Sequence, residues 1–230
     1  MKKIKYFYLL LVFVFCCQII CSQNINTIFP DFDRNGMKTS ILYNPAGISN
    51  IINLKDKKHS IGDFYQTYKS IAFSDFQERL SKLDEIKTIS RNETLSDKVP
   101  IGIIFTEFDV FKDIVQTESL IIPESNSTFQ RVGEQVNIFN NHRILVGAPL
   151  KNIQRGTNVN FLLSSETLIN TTDIGIEKIE INFGDGLGFK TILPEQPLNV
   201  SYPDEGKKEI SFRITPVSYT HLRAHETVAN

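Results

Sequence analysis

The sequence predicts a mostly β chain with one or two helices: a β-sandwich in the last third, preceded by a mixed, β-rich α+β region. Three observations carry this. From residue 99 onward, apolar residues recur with period two in short runs separated by Gly, Pro, Asn and Asp. Helical spacing of apolar residues is concentrated in one stretch, 62–89. All three cysteines, Cys16, Cys17 and Cys21, lie within the first 22 residues, so the rest of the chain is held by its core and not by disulfides or cysteine-ligated zinc. The length of 230 residues suits one sizeable domain or two small ones. A formal net charge of −1 gives no electrostatic footprint for nucleic acid.

The N-terminus reads as an export signal over residues 1–22. MKKIK supplies the basic start, and Tyr6 to Ser22 is an apolar run ending in small residues. Cleavage after Ser22 leaves Gln23 first and predicts a secreted or cell-envelope protein with no membrane contact once the signal is gone. A transmembrane anchor is the alternative, but the run is short of about 20 residues and no charged stop comes after it. Lipid attachment at Cys21 is the third reading; Ile20 stands where a small residue is wanted. An exported domain without disulfides favours a bacterial envelope or extracellular protein. The sequons at Asn92, Asn126, Asn170 and Asn199 inform only if the host is eukaryotic.

At the other end, VSYTHLRAHET (Val217 to Thr227) closely resembles the translation of a sequencing-adapter oligonucleotide. Residues 216–230 are therefore read as an artefactual tail, and the natural chain is expected to continue past about Thr215. His221 and His225 with Glu226 have the i, i+4 spacing of a zinc helix, but the stretch has neither a cap nor an apolar face, and the metal reading is rejected. Removing Lys2, Lys3, Lys5, Arg223 and Glu226 with the two ends moves the net charge from −1 to about −4.

Within 23–150, residues 24–50 are turn-rich, with Asp33-Arg34-Asn35-Gly36 and Asn44-Pro45-Ala46-Gly47, and a short strand is expected at Thr39–Tyr43. Asp31, Asp33 and Asn35 invite a calcium-loop reading. The twelfth position from Asp31 is Leu42, which has no carboxylate, so an Asx-type turn is preferred. In 62–89, Asp63 caps a first turn, and Ser74 with Gln77 matches a capping box. Phe76, Leu80, Leu83 and Ile86 then form one apolar stripe opposite Glu78, Lys82, Glu85 and Lys87. That helix packs on its own domain more readily than on a partner. Val99–Phe105, Ser119–Ile122, Gln135–Phe139 and Arg143–Gly147 read as strands, with PESNSTFQRVGE as an exposed excursion.

Residues 151–215 read as a compact β unit. Asn158–Leu163 opens it; Ile179, Ile181 and Phe183 point inward while Lys178, Glu180 and Asn182 point outward. Gly184-Asp185-Gly186-Leu187-Gly188 turns the chain, since Asp-Gly tolerates positive φ. Phe189 resumes the strand. Leu198, Val200 and Tyr202 alternate, Pro203-Asp204-Glu205-Gly206 turns, and Ile210, Phe212 and Ile214 alternate again.

INFGDG (Ile181 to Gly186) followed by VSYPDEGKKEISFRI (Val200 to Ile214) resembles the PKD-type immunoglobulin-like domain, over roughly 60–65 residues. The usual Trp two residues before the turn Phe is replaced by Ile181. The resemblance implies an immunoglobulin-like sandwich serving as an extracellular spacer or adhesive module, with polysaccharide or protein as its partner. It also implies calcium near the turn Asp in some relatives, for which Asp185, Asn182 and Asp204 are the candidates here; a turn role for Asp185 needs no ion and is preferred. Signal, mixed region and PKD-like unit together look like the start of large secreted Bacteroidetes proteins, which often carry a hydrolase further on.

No catalytic motif accompanies this. Gly47-Ile48-Ser49 is followed by Asn50-Ile51, so there is no nucleophile elbow, and there is neither a phosphate-binding glycine loop nor HExxH. His59, after a charged run, and His142, in an Asn-Asn stretch, are expected on the surface. The preferred expectation is a non-catalytic N-terminal part of a secreted or cell-surface multidomain protein, with no cofactor. The alternative is the accessory part of a secreted hydrolase whose catalytic domain lies beyond this sequence.

Overall fold

A computed structural model describes residues 25–30, 32–43, 59–112, 121–123, 129–131, 137–217, 222–223 and 227–229. The signal segment, Asp31, the Asn44–Gly47 turn, Asn126, Asp113–Leu120, His221, His225 and Glu226 lie outside them.

Among the described residues, three helices precede the strands: α1 (Ile25–Ile28), α2 (Ile61–Ser74) and α3 (Leu83–Leu95). The strands are β1 (Lys98–Phe111), β2 (Ile121–Pro123), β3 (Phe129–Arg131), β4 (Phe139–Pro149), β5 (Asn158–Asn170), β6 (Ile176–Asn182), β7 (Phe189–Thr191), β8 (Leu198–Ser201), β9 (Lys208–Pro216), β10 (Leu222–Arg223) and β11 (Thr227–Ala229). The chain is thus mostly β, with two main sheets. The first runs β4-β1-β5-β8 and is curled into a half-barrel; the second runs β10-β9-β6-β7, with β11 also on β9. β2 and β3 pair with each other; β2 overlaps the strand expected at Ser119–Ile122, and β3 falls inside the segment expected to be an excursion.

β1 is the hub. It runs antiparallel to β4 and parallel to β5, so strands from either side of residue 150 are neighbours in one sheet. Its odd positions Val99, Ile101, Ile103 and Phe105 face the second sheet, sharing a core with Phe161, Phe183, Ile210, Phe212 and Ile214. Its even positions Ile104, Phe108 and Val110 face the helices, in a core with Phe64, Tyr68, Ile71 and Ile86. A strand buried on both faces reads as a near-continuous apolar run, as Val99–Phe105 does. The result is three layers: helices, first sheet, second sheet. Two glycines set how closely they approach. A Cβ on Gly102 would lie 2.6 Å from the Phe64 ring, and one on Gly147 2.5 Å from the Phe212 ring.

β5 changes face part-way. Leu163 opposes Ile101 but Leu168 opposes Ile103, so the intervening residues bulge out. Thr167 Oγ1 donates to the Ile101 carbonyl at 2.7 Å, and Glu195 accepts from the Ser165 N–H at 2.6 Å, which fixes the bulge.

The helical region departs from expectation. The capping box is Ser60 with Asp63: Ser60 Oγ accepts the Asp63 N–H, and Asp63 Oδ2 accepts the Ser60 N–H. Ser74 is instead the last residue of α2, and the chain between α2 and α3 is not helical. The physical reason is Asp75. It is fully buried, and its carboxylate accepts Ser40 Oγ, the N–H groups of Gln77 and Arg79, and Arg79 Nε, so the local polar groups serve a tertiary junction and not a helix start. Thr39–Tyr43 makes only single bridges, Ile41 to Asp75 and Leu42 to Asp109. His59 is not on the surface; it is 2% exposed. His142 lies within β4, half-buried and stacked on Phe108 at 5.9 Å, because the Asn-Asn stretch continues the strand.

Candidate binding cleft

Among the described residues, the end of the first sheet where β1 and β5 begin and β4 and β8 finish is not closed over. Three chain segments meet there: 151–156 leaving β4, the first residues of β5, and 202–208 crossing from β8 to β9. They enclose a cleft of about 620 Å³, within the range of small-ligand sites. Its floor is the buried end of the inter-sheet core: Val99, Val159, Phe161 and Tyr202. These residues face inward for the reason given by the period-two pattern.

The walls differ from the floor. Lys151 and Arg155 stand on one, Lys207 and Lys208 on the other; among the described residues Glu205 is the acidic one in the lining, with Asp204 exposed beside it on the same segment. Among the described residues, no carboxylate pairs with any of the four cations. Two are nevertheless held in place. Lys151 Nζ donates to Gln154 Oε1, and the Gln154 amide reaches Asp97 at 3.4 Å. Lys208 Nζ lies 5.2 Å from the centre of the Tyr202 ring, a cation–π distance. The ring is itself fixed, since Tyr202 Oη donates to the Phe183 carbonyl at 2.9 Å. Burial, aided by the Asp185 charge, pushes the Tyr202 hydroxyl up to about 12, so it remains a donor throughout the physiological range. Arg155 and Lys207 are exposed.

Of the predicted calcium candidates, Asp185 has both oxygens engaged. Oδ1 accepts the Leu187 N–H at 3.1 Å and Oδ2 accepts Lys190 Nζ at 2.5 Å. Burial alone would raise this carboxyl; the Lys190 ammonium and the turn N–H groups outweigh burial and hold it below the usual range. Asn182 Oδ1 accepts the Gly184 N–H at 3.0 Å, and Asp204 is exposed. Gly184 has φ +70, and a Cβ there would lie 2.6 Å from the Glu209 carbonyl oxygen, so the turn demands glycine. Near the N-terminus, Asp33 Oδ1 accepts the Asn35 N–H at 2.9 Å, an Asx turn. Among the described residues, no three His, Cys, Asp or Glu side chains gather as a metal site.

No family model, curated protein or solved structure matches the chain. Among the described residues, no helix is long and apolar enough to cross a membrane.

Sequence reasoning missed the cleft. Its residues come from three separated segments, and the only local hints were the pairs Lys151/Arg155 and Lys207/Lys208 flanking strand ends.

Proposed function

We propose that the chain is a non-catalytic binding and spacer part of an exported protein. In this reading the last strands form an immunoglobulin-like, PKD-type module, and the cleft between the sheets is its ligand site. The carrying observation is the chemistry of that cleft. Its lining offers cations over an apolar floor, one exposed carboxylate, and a Tyr202 hydroxyl already committed to the Phe183 carbonyl. Acid–base catalysis needs a pair of titratable groups with separated pKa values, and nucleophilic catalysis needs a nucleophile beside a base; the lining residues supply recognition groups instead. The GDG turn adds support. Asn182 accepts the Gly184 N–H while Asp185 accepts the Leu187 N–H and the Lys190 ammonium, and these contacts tie the turn into a corner suited to a spacer.

The test uses the full chain expressed with its own leader. N-terminal sequencing of exported protein should begin at Gln23. The purified product should bind at least one extracellular polysaccharide or protein in a retention assay and leave ester, glycan and peptide substrates unchanged. Turnover on any of these that is abolished by substituting a cleft residue would refute the non-catalytic reading.

A further inference from the structure

We infer that the cleft takes a linear acidic polysaccharide, one bearing carboxylates or sulfates along a chain of sugar rings. This rests on the reading of the cleft as the ligand site and names the chemistry it selects. The first ground is the placement of charge. The cations stand on two walls, Lys151 and Arg155 on one and Lys207 and Lys208 on the other, with apolar side chains between them. A compact anion can satisfy one wall. A chain carrying anionic groups on both edges satisfies both.

The second ground is preorganisation. Lys151 is tethered by Gln154, and Lys208 lies against the Tyr202 ring. Neither arrangement neutralises its ammonium. A cation fixed by neutral groups stays available to an incoming anion and loses less freedom when it binds. Burying unlike charges against each other would have removed that capacity; here no such pairing occurs among the described residues.

The third ground separates a glycan from other polyanions. The floor of Val99, Val159 and Phe161 offers no hydrogen-bonding side chain. A peptide backbone laid on it would leave N–H and C=O groups without partners, which is costly. A pyranose ring presents C–H groups to apolar surface, which in this lining is the exposed Ile153 side chain above the buried floor, and directs its polar substituents to the edges, where the cations and the Asn152 amide stand. Nucleic acid would need aromatic faces for its bases. Phe161 faces the inter-sheet core, where it packs on Phe183, and Lys208 already lies over the Tyr202 ring, so neither presents a free aromatic face.

The experiment is titration calorimetry on the full exported chain with four probes: oligogalacturonate, a heparin-derived oligosaccharide, cello-oligosaccharide and oligoglutamate. Binding to one of the first two is expected, weakening as salt rises because exposed charges are screened. Arg155→Gln and Lys207→Gln each remove one exposed ionic contact and should weaken that binding about two- to fivefold. The double charge reversal Arg155→Glu/Lys207→Glu should abolish it. Both residues are exposed, so circular dichroism and the thermal midpoint should match the parent protein. Cello-oligosaccharide binding of equal strength, or salt-independent binding, would overturn the acidic-glycan inference while leaving the cleft as the ligand site. Equal binding of oligoglutamate would do the same. Binding unaffected by the charge reversal, or no binding of any probe in this or a wider polysaccharide and protein screen, would overturn the cleft reading as well.

Discussion

Gly147→Ala probes the contact that fixes the distance between the two sheets. Gly147 lies in β4 opposite Ile103, facing the buried ring of Phe212 on β9. An added methyl would sit 2.5, 2.6 and 2.8 Å from three carbons of that ring. Carbon atoms in contact rest near 3.5–4.0 Å, so about 1 Å must be recovered. Phe212 is 1% exposed and hemmed in by its core neighbours, so the ring cannot simply swing out. Overpacking of this kind costs about 1–3 kcal/mol. Alanine also stiffens the unfolded chain, which offsets about 0.4–1 kcal/mol. A net loss of about 1–2 kcal/mol is expected, a fall in Tm of roughly 2–8 °C for a chain of this size. The chain has no Trp, so urea unfolding is followed by circular dichroism. The decisive measurement is the double variant. Phe212→Leu should make room for the new methyl, giving a coupling of at least about 1 kcal/mol. A Gly147→Ala protein within about 0.5 kcal/mol of the parent, or strict additivity with Phe212→Leu, would refute the close-contact argument.

Three further expectations concern polar groups. Glu93 is pushed above its ordinary 4.5 by burial, with the Glu195 and Glu166 charges adding to it and the Ser164 hydrogen bond and Lys98 charge opposing. A raised folded pKa gives stability that is present below pH 4.5 and lost as pH rises through the folded value. Glu93→Gln should therefore be more stable than the parent at neutral pH and lose that advantage near pH 4; equal unfolding midpoints at both would sink the idea. Burial would raise Asp75, but Ser40, Arg79 and the N–H groups of Gln77 and Arg79 together hold it below 3.8. That stability is present above 3.8 and lost as pH falls through the folded value, so Arg79→Ala should shift acid unfolding to higher pH, with a neutral-pH loss of about 1–3 kcal/mol; an unchanged acid midpoint would count against it. Tyr202→Phe leaves the Phe183 carbonyl without its donor and should cost about 1–2 kcal/mol in urea unfolding; a neutral result would mean that the hydroxyl does not anchor the cleft floor.

Much of the strand pattern was legible because it is local. Ile179, Ile181 and Phe183, and later Ile210, Phe212 and Ile214, alternate in sequence and are all buried. The turn at Gly184 was legible for the same reason, since it needs positive φ at a residue the sequence supplies. Residues that answer to distant partners were not legible. Ser74-Asp75-Phe76-Gln77 has the letters of a helix start, yet Asp75 is engaged by Ser40, 35 positions earlier. Ser60 and Asp63 carry the real cap, and their spacing was visible but unweighted. The burial of His59 depends on packing that no periodicity encodes. The parallel pairing of β1 with β5 links Lys98 to Asn160 across some sixty residues, and the cleft exists only once that pairing is made.

The two-faced burial of β1 bears on how the chain reaches its fold. β1 is synthesised after the helices that cover one of its faces but before β4, β5 and all of the second sheet, so its other apolar face and both its edges await partners that lie later in sequence. Non-local pairings form slowly because loop closure must precede their reward. A chain emerging from its N-terminus therefore displays Val99–Val110 unpaired until β4 and β5 have been made. That stretch is apolar on both sides and rich in β-formers, the composition that drives intermolecular strand pairing. The central strand of the finished protein is thus an aggregation hazard of the nascent one.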